Sequence, residues 1–239
     1  MKTLIVILDG LSYVVTNVFC WWRKNLLKLW KLPGSTHRML YVDVYPETPQ
    51  VLTNFFQIRK YVPGKTTQWI WELFEKLDVK VINIPVQVPP IYYNVERPRN
   101  WVDYYTPPRE RFKETVDDYH RFILDHGGAE VLITWYPVPD QAHHHFFATA
   151  HDPPSLNIML DYYDLAAKYA LELIEHYKPK KYIILSDHGL SSDVQDKSIP
   201  GLYHIRDATI ATNVADPPDR ASEIIYFIYK VFKQVSDHG

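Results

Sequence analysis

The sequence has few cysteine and glycine residues and a small net charge. Cys20 is the single cysteine among 239 residues, so no disulfide forms within the chain and we expect a cytoplasmic protein. Glycine is outnumbered by proline, 8 to 18, a balance found in heat-adapted proteins. Because the formal net charge is only −2, no stable binding of nucleic acid is expected.

Long hydrophobic runs are absent too, which excludes a membrane-spanning helix. No stretch approaches the roughly 20 apolar residues that cross a bilayer. Residues 4–8 follow Met1-Lys2 and imitate a short secretory signal, but Asp9-Gly10 interrupts the run and no small-residue cleavage site follows. We interpret them as a core strand. With 46% hydrophobic and 23% charged residues, residues 1–239 are expected to form one globular domain.

Predicted strands alternate with predicted helices along the chain. The strands are expected at residues 4–8, 39–44, 79–84, 131–135, 181–185 and 209–212. The helices are expected at residues 17–32, 49–58, 65–77, 109–126, 154–177 and 222–235. This alternation is typical of an α/β fold with a mostly parallel sheet and helices on both faces.

The predicted helix 17–32 is rich in tryptophan and lysine. Trp21, Trp22 and Trp30 occur among basic residues such as Lys24, and Pro33-Gly34 ends the segment. A helix of this composition can lie on a membrane surface. Packing on the sheet with snorkelling lysines is the favoured interpretation, and an oligomer contact is a third.

Residues 85–109 hold many prolines and aromatic residues and show little periodicity. We interpret this segment as a lid or cap loop. Its aromatic side chains would stack on a nucleobase or cover the core; they are Tyr92, Tyr93, Trp101, Tyr104 and Tyr105.

Three predicted strands lead into an acidic residue. Asp9, Asp140 and Asp187 each follow a buried apolar run, and the carboxyl ends of parallel strands gather at one edge of a sheet. Any one of them alone is best explained as a helix N-cap. Three together, two of them with histidines nearby, favour a site for divalent metal.

Histidines accompany two of these carboxylates. Ser186-Asp187-His188-Gly189 offers an oxygen and a nitrogen ligand side by side. Asp140 and His144 are four residues apart, so one helical turn places them on one face. The histidines on either side of His144 are expected to include solvated bystanders. His204 would complete a site that otherwise has too few ligands.

Thr48 precedes Pro49 at the start of a predicted helix. The pairing is common where threonine caps a helix and proline takes the first helical position. It also suits a nucleophile, because free amides and the helix dipole favour an anionic group there. A metal near the hydroxyl would ease the loss of its proton. Both interpretations are compatible.

The order of these motifs resembles the alkaline phosphatase superfamily, and within it the type I phosphodiesterase and nucleotide pyrophosphatase group. The motifs are Asp9-Gly10, Thr48-Pro49, Asp140-x-x-x-His144, Ser186-Asp187-His188-Gly189 and Gly201-x-x-His204. Residues 81–86, Val-Ile-Asn-Ile-Pro-Val, with Pro89-Pro90 after them, are similar to a segment of compact archaeal phosphohydrolases of that superfamily. The resemblance covers residues 4–210 and implies an alkaline phosphatase-like three-layer sandwich.

The resemblance implies two divalent metal ions, with zinc favoured over manganese or iron. One ion is expected on Asp9, Thr48, Asp187 and His188, the other on Asp140, His144 and His204. Thr48 would attack phosphorus and form a phosphothreonine, which water releases with net retention. The implied partner is a small phosphate ester, with a phosphodiester favoured and a nucleotide included; an oligomer is compatible with the sequence.

The chain departs from the family pattern around the nucleophile. Members often carry Thr-x-Pro, then Thr-Gly and later His-Gly. Here Pro49 follows Thr48 directly, and Gln57-Ile58 and Thr66-Thr67 stand in the later places.

Several alternatives stay open at this point. Thr53 competes with Thr48 as nucleophile, and Gln50 and Asn54 are candidates for assisting at the phosphate oxygens. A phosphomonoesterase or phosphonate hydrolase would use the same site, and an inactive binding protein would keep the same fold. The sulfatase branch is excluded, because its Cys/Ser-x-Pro-x-Arg motif is absent.

Overall fold

The computed structural model describes residues 1–58, 69–74, 76–87, 91–93, 109–146, 156–190 and 204–237. The strands are β1 (Thr3–Leu8), β2 (Thr36–Tyr41), β3 (Val79–Ile82), β4 (Ile84–Val86), β5 (Ile91–Tyr93), β6 (Val131–Tyr136), β7 (Lys181–Leu185), β8 (Gly189–Leu190), β9 (His204–Ile205) and β10 (Asp207–Thr212). The α-helices are α1 (Tyr13–Phe19), α2 (Lys24–Trp30), α3 (Thr48–Phe56), α4 (Phe112–His126), α5 (Asp140–Phe146), α6 (Leu156–Tyr177) and α7 (Ile224–Asp237). Short 3-10 turns occupy Cys20–Trp22, Ile70–Leu73, Arg109–Arg111 and Ala221–Glu223.

β1 lies inside a six-stranded sheet of order β2-β10-β7-β1-β6-β3. The four strands β7, β1, β6 and β3 run parallel, whereas β10 runs antiparallel to both β7 and β2. The pairs β4-β5 and β8-β9 form two small separate sheets. The prediction of a mostly parallel sheet is confirmed.

The side chains of β1 alternate between two apolar cores. Leu4, Val6 and Leu8 belong to the core that includes α2, α4 and α6. Ile5 and Ile7 belong to the core that includes α3 and α7. Because successive residues of a strand point to opposite faces, helices cover both faces of the sheet. The predicted three-layer α/β sandwich is confirmed.

The prediction of one continuous helix at residues 17–32 is wrong. The chain forms α1 and α2 with the turn Cys20–Trp22 between them. Asp164 of α6 accepts hydrogen bonds from the Asn25 and Leu26 N–H groups at 2.7 and 3.0 Å. This carboxylate satisfies amides that the start of a helix leaves unpaired. α2 therefore begins where a distant side chain caps it.

The predicted strand 79–84 is interrupted at Asn83. Its φ of 61° takes the chain out of the extended conformation, so β3 ends there and β4 pairs with β5 instead. Of the predicted helix 65–77, the described residues form the turn Ile70–Leu73, and residues 65–68 and 75 lie outside the described part. Most of the predicted lid 85–109 lies outside it as well.

The remaining predicted elements coincide with described strands or helices, although their ends move by a few residues. None of the helices in the described ranges is long and apolar enough to cross a bilayer.

Candidate metal centre

Three carboxylates meet at the carboxyl edge of the parallel strands. Asp9 follows β1, and Asp187 follows β7, its parallel neighbour. On the other side of β1, the Asp9 N–H donates to the Tyr136 carbonyl at the end of β6, at 3.0 Å. Asp140 opens α5 just beyond β6, and its N–H donates to the Asp9 carbonyl at 2.9 Å. The register of the sheet therefore brings the carboxylates together.

The hydroxyl of Thr48 lies against two of the three strand ends. Its Oγ1 donates to Asp9 Oδ1 at 3.1 Å and lies 3.3 Å from His188 Nε2. His188 Nε2 is also 3.2 Å from Asp9 Oδ1 and 3.8 Å from Asp187 Oδ2. All four side chains are buried. Oxygen and nitrogen donors thus surround the threonine hydroxyl.

Thr48 does not cap its own helix. The N-cap of α3 is Glu47, no side chain accepts a capping hydrogen bond, and Thr48 is the first helical residue. The interpretation of Thr48 as the N-cap is therefore wrong, because the N-cap is the residue before it. Its hydroxyl points to a carboxylate and an imidazole instead of to the helix amides.

Asp140 lies between two histidines. Its Oδ1 is 3.1 Å from Nε2 of His204, and its Oδ2 is 3.1 Å from Nε2 of His144. His144 stands one turn after Asp140 in α5, at the spacing that the sequence suggests. Asp140 and His204 are buried, whereas the His144 side chain is 39% exposed. His144 therefore marks the side on which the site meets solvent.

His188 and His204 bring the two groups into contact. Their rings stack with centroids 3.8 Å apart and planes inclined by 20°. Ligand atoms of Asp9, Asp187 and His188 lie within 4.8 Å of one another, and so do those of Asp140, His188 and His204. The sequence-based assignment gave His188 to one metal, whereas the geometry lets it reach both groups. The structure brings all seven predicted residues together, and their role as ligands stays a prediction.

Burial and nearby charges set the protonation of the carboxylates. Burial first, then the charges of Asp187 and Asp140, raises the pKa of Asp9 well above its usual range. Burial also acts to raise the pKa of Asp140, but the His144 and His204 imidazoles outweigh it and hold that pKa well below its usual range.

The pKa values of the two stacked histidines are shifted in opposite directions. Burial, with the neighbouring His204, lowers the pKa of His188. Burial disfavours the charged form of His204 too, but Asp140 and Glu47 raise its pKa to about 10. His188 Nδ1 lies 3.1 Å from the Gly189 carbonyl oxygen, so Nδ1 carries the proton and Nε2 presents its lone pair to the site. Neutral imidazole is the form that binds a metal.

The donor set fits divalent cations. Asp9 Oδ2 and Asp187 Oδ2 are buried without a hydrogen-bond partner, although buried carboxylate oxygens are normally paired or bound to a metal. Within the described ranges, the ion pairs of the three carboxylates involve histidines and no lysine or arginine. Mixed carboxylate and imidazole donors suit zinc, manganese or iron.

Glu47, which belongs to none of the motifs, and Gly10 of the Asp9-Gly10 motif help to hold the site. Glu47 places Oε1 3.5 Å from His204 Nδ1, which also lies 3.0 Å from the backbone carbonyl oxygen of Pro46. Gly10 donates its N–H to Asp187 Oδ1 at 3.3 Å and has a positive φ of 75°. The available signals were an acidic residue beside the candidate nucleophile and a glycine directly after a strand-end aspartate.

The competing threonine is engaged by the backbone around it. Thr53 Oγ1 donates to the Pro49 carbonyl at 2.6 Å and accepts from the Gln87 N–H at 2.7 Å. Asn54 Nδ2 donates to the Gln50 carbonyl at 2.8 Å. Gln50 keeps a buried Oε1 without a hydrogen-bond partner. Of the two candidates for assisting at the phosphate, Gln50 therefore retains the freer polar atom.

The histidines beside His144 also lie in α5. His143 is buried, with 2% of its surface exposed, so the expectation of a solvated side chain is wrong for it. His145 packs edge-on against Phe112, with ring centroids 5.4 Å apart. Successive helix residues point in different directions, and His144 is directed to Asp140 Oδ2.

Three solved structures have a similar arrangement of strands and helices. The C-terminal periplasmic domain of phosphoethanolamine transferase EptC from Campylobacter jejuni is 13% identical, with a TM-score of 0.51 over 97% of this chain and 93% of that chain. The C-terminal periplasmic domain of EcEptC from Escherichia coli is 12% identical, with a TM-score of 0.51 over 96% and 81%. Alkaline phosphatase from the Antarctic bacterium TAB5 is 12% identical, with a TM-score of 0.50 over 97% and 98%.

No protein-family model and no curated protein matches the sequence. At the low identity of the three structures, the likeness shows the fold alone.

Proposed function

We propose that this chain, which has the fold of the alkaline phosphatase superfamily, hydrolyses phosphate esters with two divalent metal ions and Thr48 as nucleophile. Phosphodiesters, including nucleotide derivatives, are the favoured substrates, as the order of the sequence motifs implies. The ligands of the two ions are Asp9, Thr48, Asp187 and His188 for one and Asp140, His144 and His204 for the other.

The observation that carries this proposal is the position of the Thr48 hydroxyl. It is buried between Asp9 Oδ1 at 3.1 Å and His188 Nε2 at 3.3 Å. It makes no capping contact with α3. A hydroxyl held by a carboxylate and an imidazole beside two unpartnered carboxylate oxygens has the surroundings of an activated nucleophile.

The start of α3 prepares the same place for an anion. The first amides of a helix have no partner inside it, and the helix dipole is positive there. Pro49 contributes no amide, so the Thr48 and Gln50 N–H groups remain at this end. A phosphoryl group at Thr48 would meet these donors.

The ions would supply Lewis-acid stabilisation of the attacking and leaving oxygens. The residues of the chain orient the reacting atom. Asp9 Oδ1 accepts the hydrogen bond of the Thr48 hydroxyl and so fixes the direction of the lone pairs on Thr48 Oγ1. Glu47, beside His204 Nδ1, keeps the His204 ring turned with Nε2 towards Asp140.

The reaction comprises two displacements at phosphorus. In the first, Thr48 Oγ1 bonds to phosphorus and the ester oxygen leaves with the electron pair of the broken bond. The proton of the threonine balances the charge of that leaving oxygen. In the second, a water oxygen bonds to phosphorus, the bond to Thr48 breaks, and Oγ1 regains a proton from the water. Two inversions give net retention.

A pair of threonine variants tests the nucleophile. Thr48→Ala should lower turnover by at least about 10³-fold, while circular dichroism and the metal content by elemental analysis stay near those of the wild type. Thr53→Ala, in the same helix, is the matched control and should keep activity within a few fold. An active Thr48→Ala variant together with an inactive Thr53→Ala variant would move the nucleophile to Thr53, and two active variants would refute a threonine nucleophile.

A pair of substrates tests the favoured ester class. After chelation and reconstitution with Zn²⁺ or Mn²⁺, bis-p-nitrophenyl phosphate should be cleaved faster than p-nitrophenyl phosphate. Much faster cleavage of the monoester would make the protein a phosphomonoesterase with the same site. No bound metal and no turnover after reconstitution would make it a binding protein.

A further inference from the structure

The surface formed by α1 and the turn Cys20–Trp22 exposes large apolar side chains. We call the following four residues the tryptophan patch: Val14, Val18, Trp21 and Trp22, exposed by 53%, 54%, 63% and 59%. Val14, Val18 and Trp21 are spaced by one helical turn each, so they form one stripe. Exposed apolar stripes of this kind mark interaction surfaces.

Lysines border this patch, and the segment of the chain that carries it contains no acidic residue. The sequence has no Asp or Glu between Asp9 and Asp43. Lys24, Lys28 and Lys31 are exposed and recur at each turn of α2 and its C-cap. Lys31 Nζ lies 4.7 Å from the centre of the Trp21 ring. The positive stripe therefore adjoins the apolar one.

The carboxylates next to this surface are already engaged. Asp161 pairs with Arg23 at 2.9 Å. Asp164 accepts from the Asn25 N–H and from Asn25 Nδ2, both at 2.7 Å. Within the ranges that the structure covers, Lys24, Lys28 and Lys31 form no ion pair. Their charge is thus uncompensated by the protein.

We propose that the tryptophan patch docks this protein on a bilayer surface that contains anionic phospholipid. Indole rings prefer the interface between headgroups and acyl chains, where one edge is wet and the other apolar. Lysines beside them attract anionic headgroups. An apolar stripe flanked by lysines is the composition of interfacial helices. This inference is independent of the proposed chemistry.

A second copy of the chain fits the patch less well than a bilayer. A two-fold contact places the same surface on both sides, so the lysines of both copies would border one interface. The engaged carboxylates Asp161 and Asp164 offer little relief, and opposed like charges disfavour association. Lipid phosphates complement the lysines instead.

Vesicle sedimentation of the full chain tests the proposal. The protein should bind vesicles of phosphatidylglycerol and phosphatidylcholine, bind pure phosphatidylcholine much less, and dissociate as salt is added. The double variant Trp21→Ser and Trp22→Ser should bind at least about tenfold more weakly. The triple variant Lys24→Gln, Lys28→Gln and Lys31→Gln should lose about 10²-fold, because each lysine near such a surface contributes about fivefold.

α7, on the other face of the sheet, supplies a matched control. Tyr226 is 70% exposed, and Lys230 and Lys233 are exposed on the same helix. The triple variant Tyr226→Ser, Lys230→Gln and Lys233→Gln removes an aromatic ring and two charges. It should bind the anionic vesicles as the wild type does.

Three outcomes would overturn the proposal. In the first, the wild type fails to bind the anionic vesicles. In the second, the α7 control loses as much binding as the patch variants do. In the third, the wild type would sediment as a dimer that Trp21→Ser and Trp22→Ser convert to monomer, without vesicle binding. Should the tryptophan variant misfold, as judged by circular dichroism, the lysine variant decides, since all its replaced side chains are exposed.

Discussion

Replacing Asp9 with asparagine should stabilise the metal-free protein. Asp9 is fully buried, and burial together with the charges of Asp187 and Asp140 raises its pKa. Asparagine has nearly the same shape as aspartate and keeps an oxygen that accepts a hydrogen bond from the Thr48 hydroxyl, but it carries no charge. The variant therefore removes a buried charge and its repulsion while leaving the packing in place.

The expected gain follows from the spacing of the carboxylates. Ligand oxygens of Asp9 and Asp187 lie within 4.8 Å of each other, and two unit charges at that distance repel by about 3 kcal/mol at an effective dielectric constant of about 20. Asp9 can instead take up a proton, which costs about 4 kcal/mol near neutral pH because its ordinary pKa is 3.8. The destabilisation by the charged Asp9 carboxylate therefore cannot exceed this value. The amide's imperfect hydrogen bonds cost about 1 kcal/mol. A net gain of about 2 kcal/mol raises the unfolding temperature by about 4–8 °C in a chain of this size.

Differential scanning calorimetry of the chelated protein, with Zn²⁺ then titrated back, measures this effect. Without metal, Asp9→Asn should melt above the wild type, but Zn²⁺ should raise its melting temperature less, because a proposed ligand is replaced. Asp219→Asn is the matched control, since that carboxylate is 75% exposed and pairs with Arg38 on the surface. The reasoning fails if metal-free Asp9→Asn melts below the wild type and its Zn²⁺ shift is unchanged.

Two further substitutions test the turn beside the site and the core. Gly10→Ala should lower the free energy of unfolding by about 2–4 kcal/mol, because Gly10 has a φ of +75° and a Cβ there would lie 2.9 Å from both Asp140 Cβ and Leu190 Cδ1. Gly34→Ala, also at positive φ but with nothing within 4 Å, should cost only about 1 kcal/mol; equal losses in urea would contradict the clash. Burial lowers the pKa of His120 to about 4 from 6.5. Its neutral form therefore contributes fully to the free energy of unfolding above pH 6.5. As pH falls towards 4 this contribution is lost, by up to about 3 kcal/mol. His120→Gln should flatten that part of the pH profile in urea titrations, and parallel profiles would show this reasoning to be wrong.

The strand ends were the most predictable part of the candidate site. The apolar runs before Asp9 and Asp187 are uninterrupted, and alternation of strands with helices implies that their ends share one edge. The spacing of Asp140 and His144 implies one helical face. Local pattern and fold class together therefore suffice to bring the carboxylates close.

Contacts between distant segments could not be predicted in the same way. The stacking of His188 on His204 depends on where β9 returns to the sheet edge, and no local spacing encodes that. The start of α2 depends on Asp164, far along the chain, and no glycine or proline marks it. The direction of the Thr48 hydroxyl depends on Asp9, which is distant in the sequence and accepts its hydrogen bond.

The parallel register around β1 also bears on how such a protein can diverge. Asp9 and Asp187 follow the adjacent strands β1 and β7 within two residues, so their separation is governed by the pitch of the sheet, about 4.8 Å between strands, and not by loop length. One residue inserted within β1 would advance Asp9 by about 3.3 Å and turn its side chain to the opposite face. An insertion in a connecting loop changes neither. Descendants of this chain can therefore exchange whole loops and surface helices, and acquire new surfaces with them, while they inherit the same spacing between these two carboxylates.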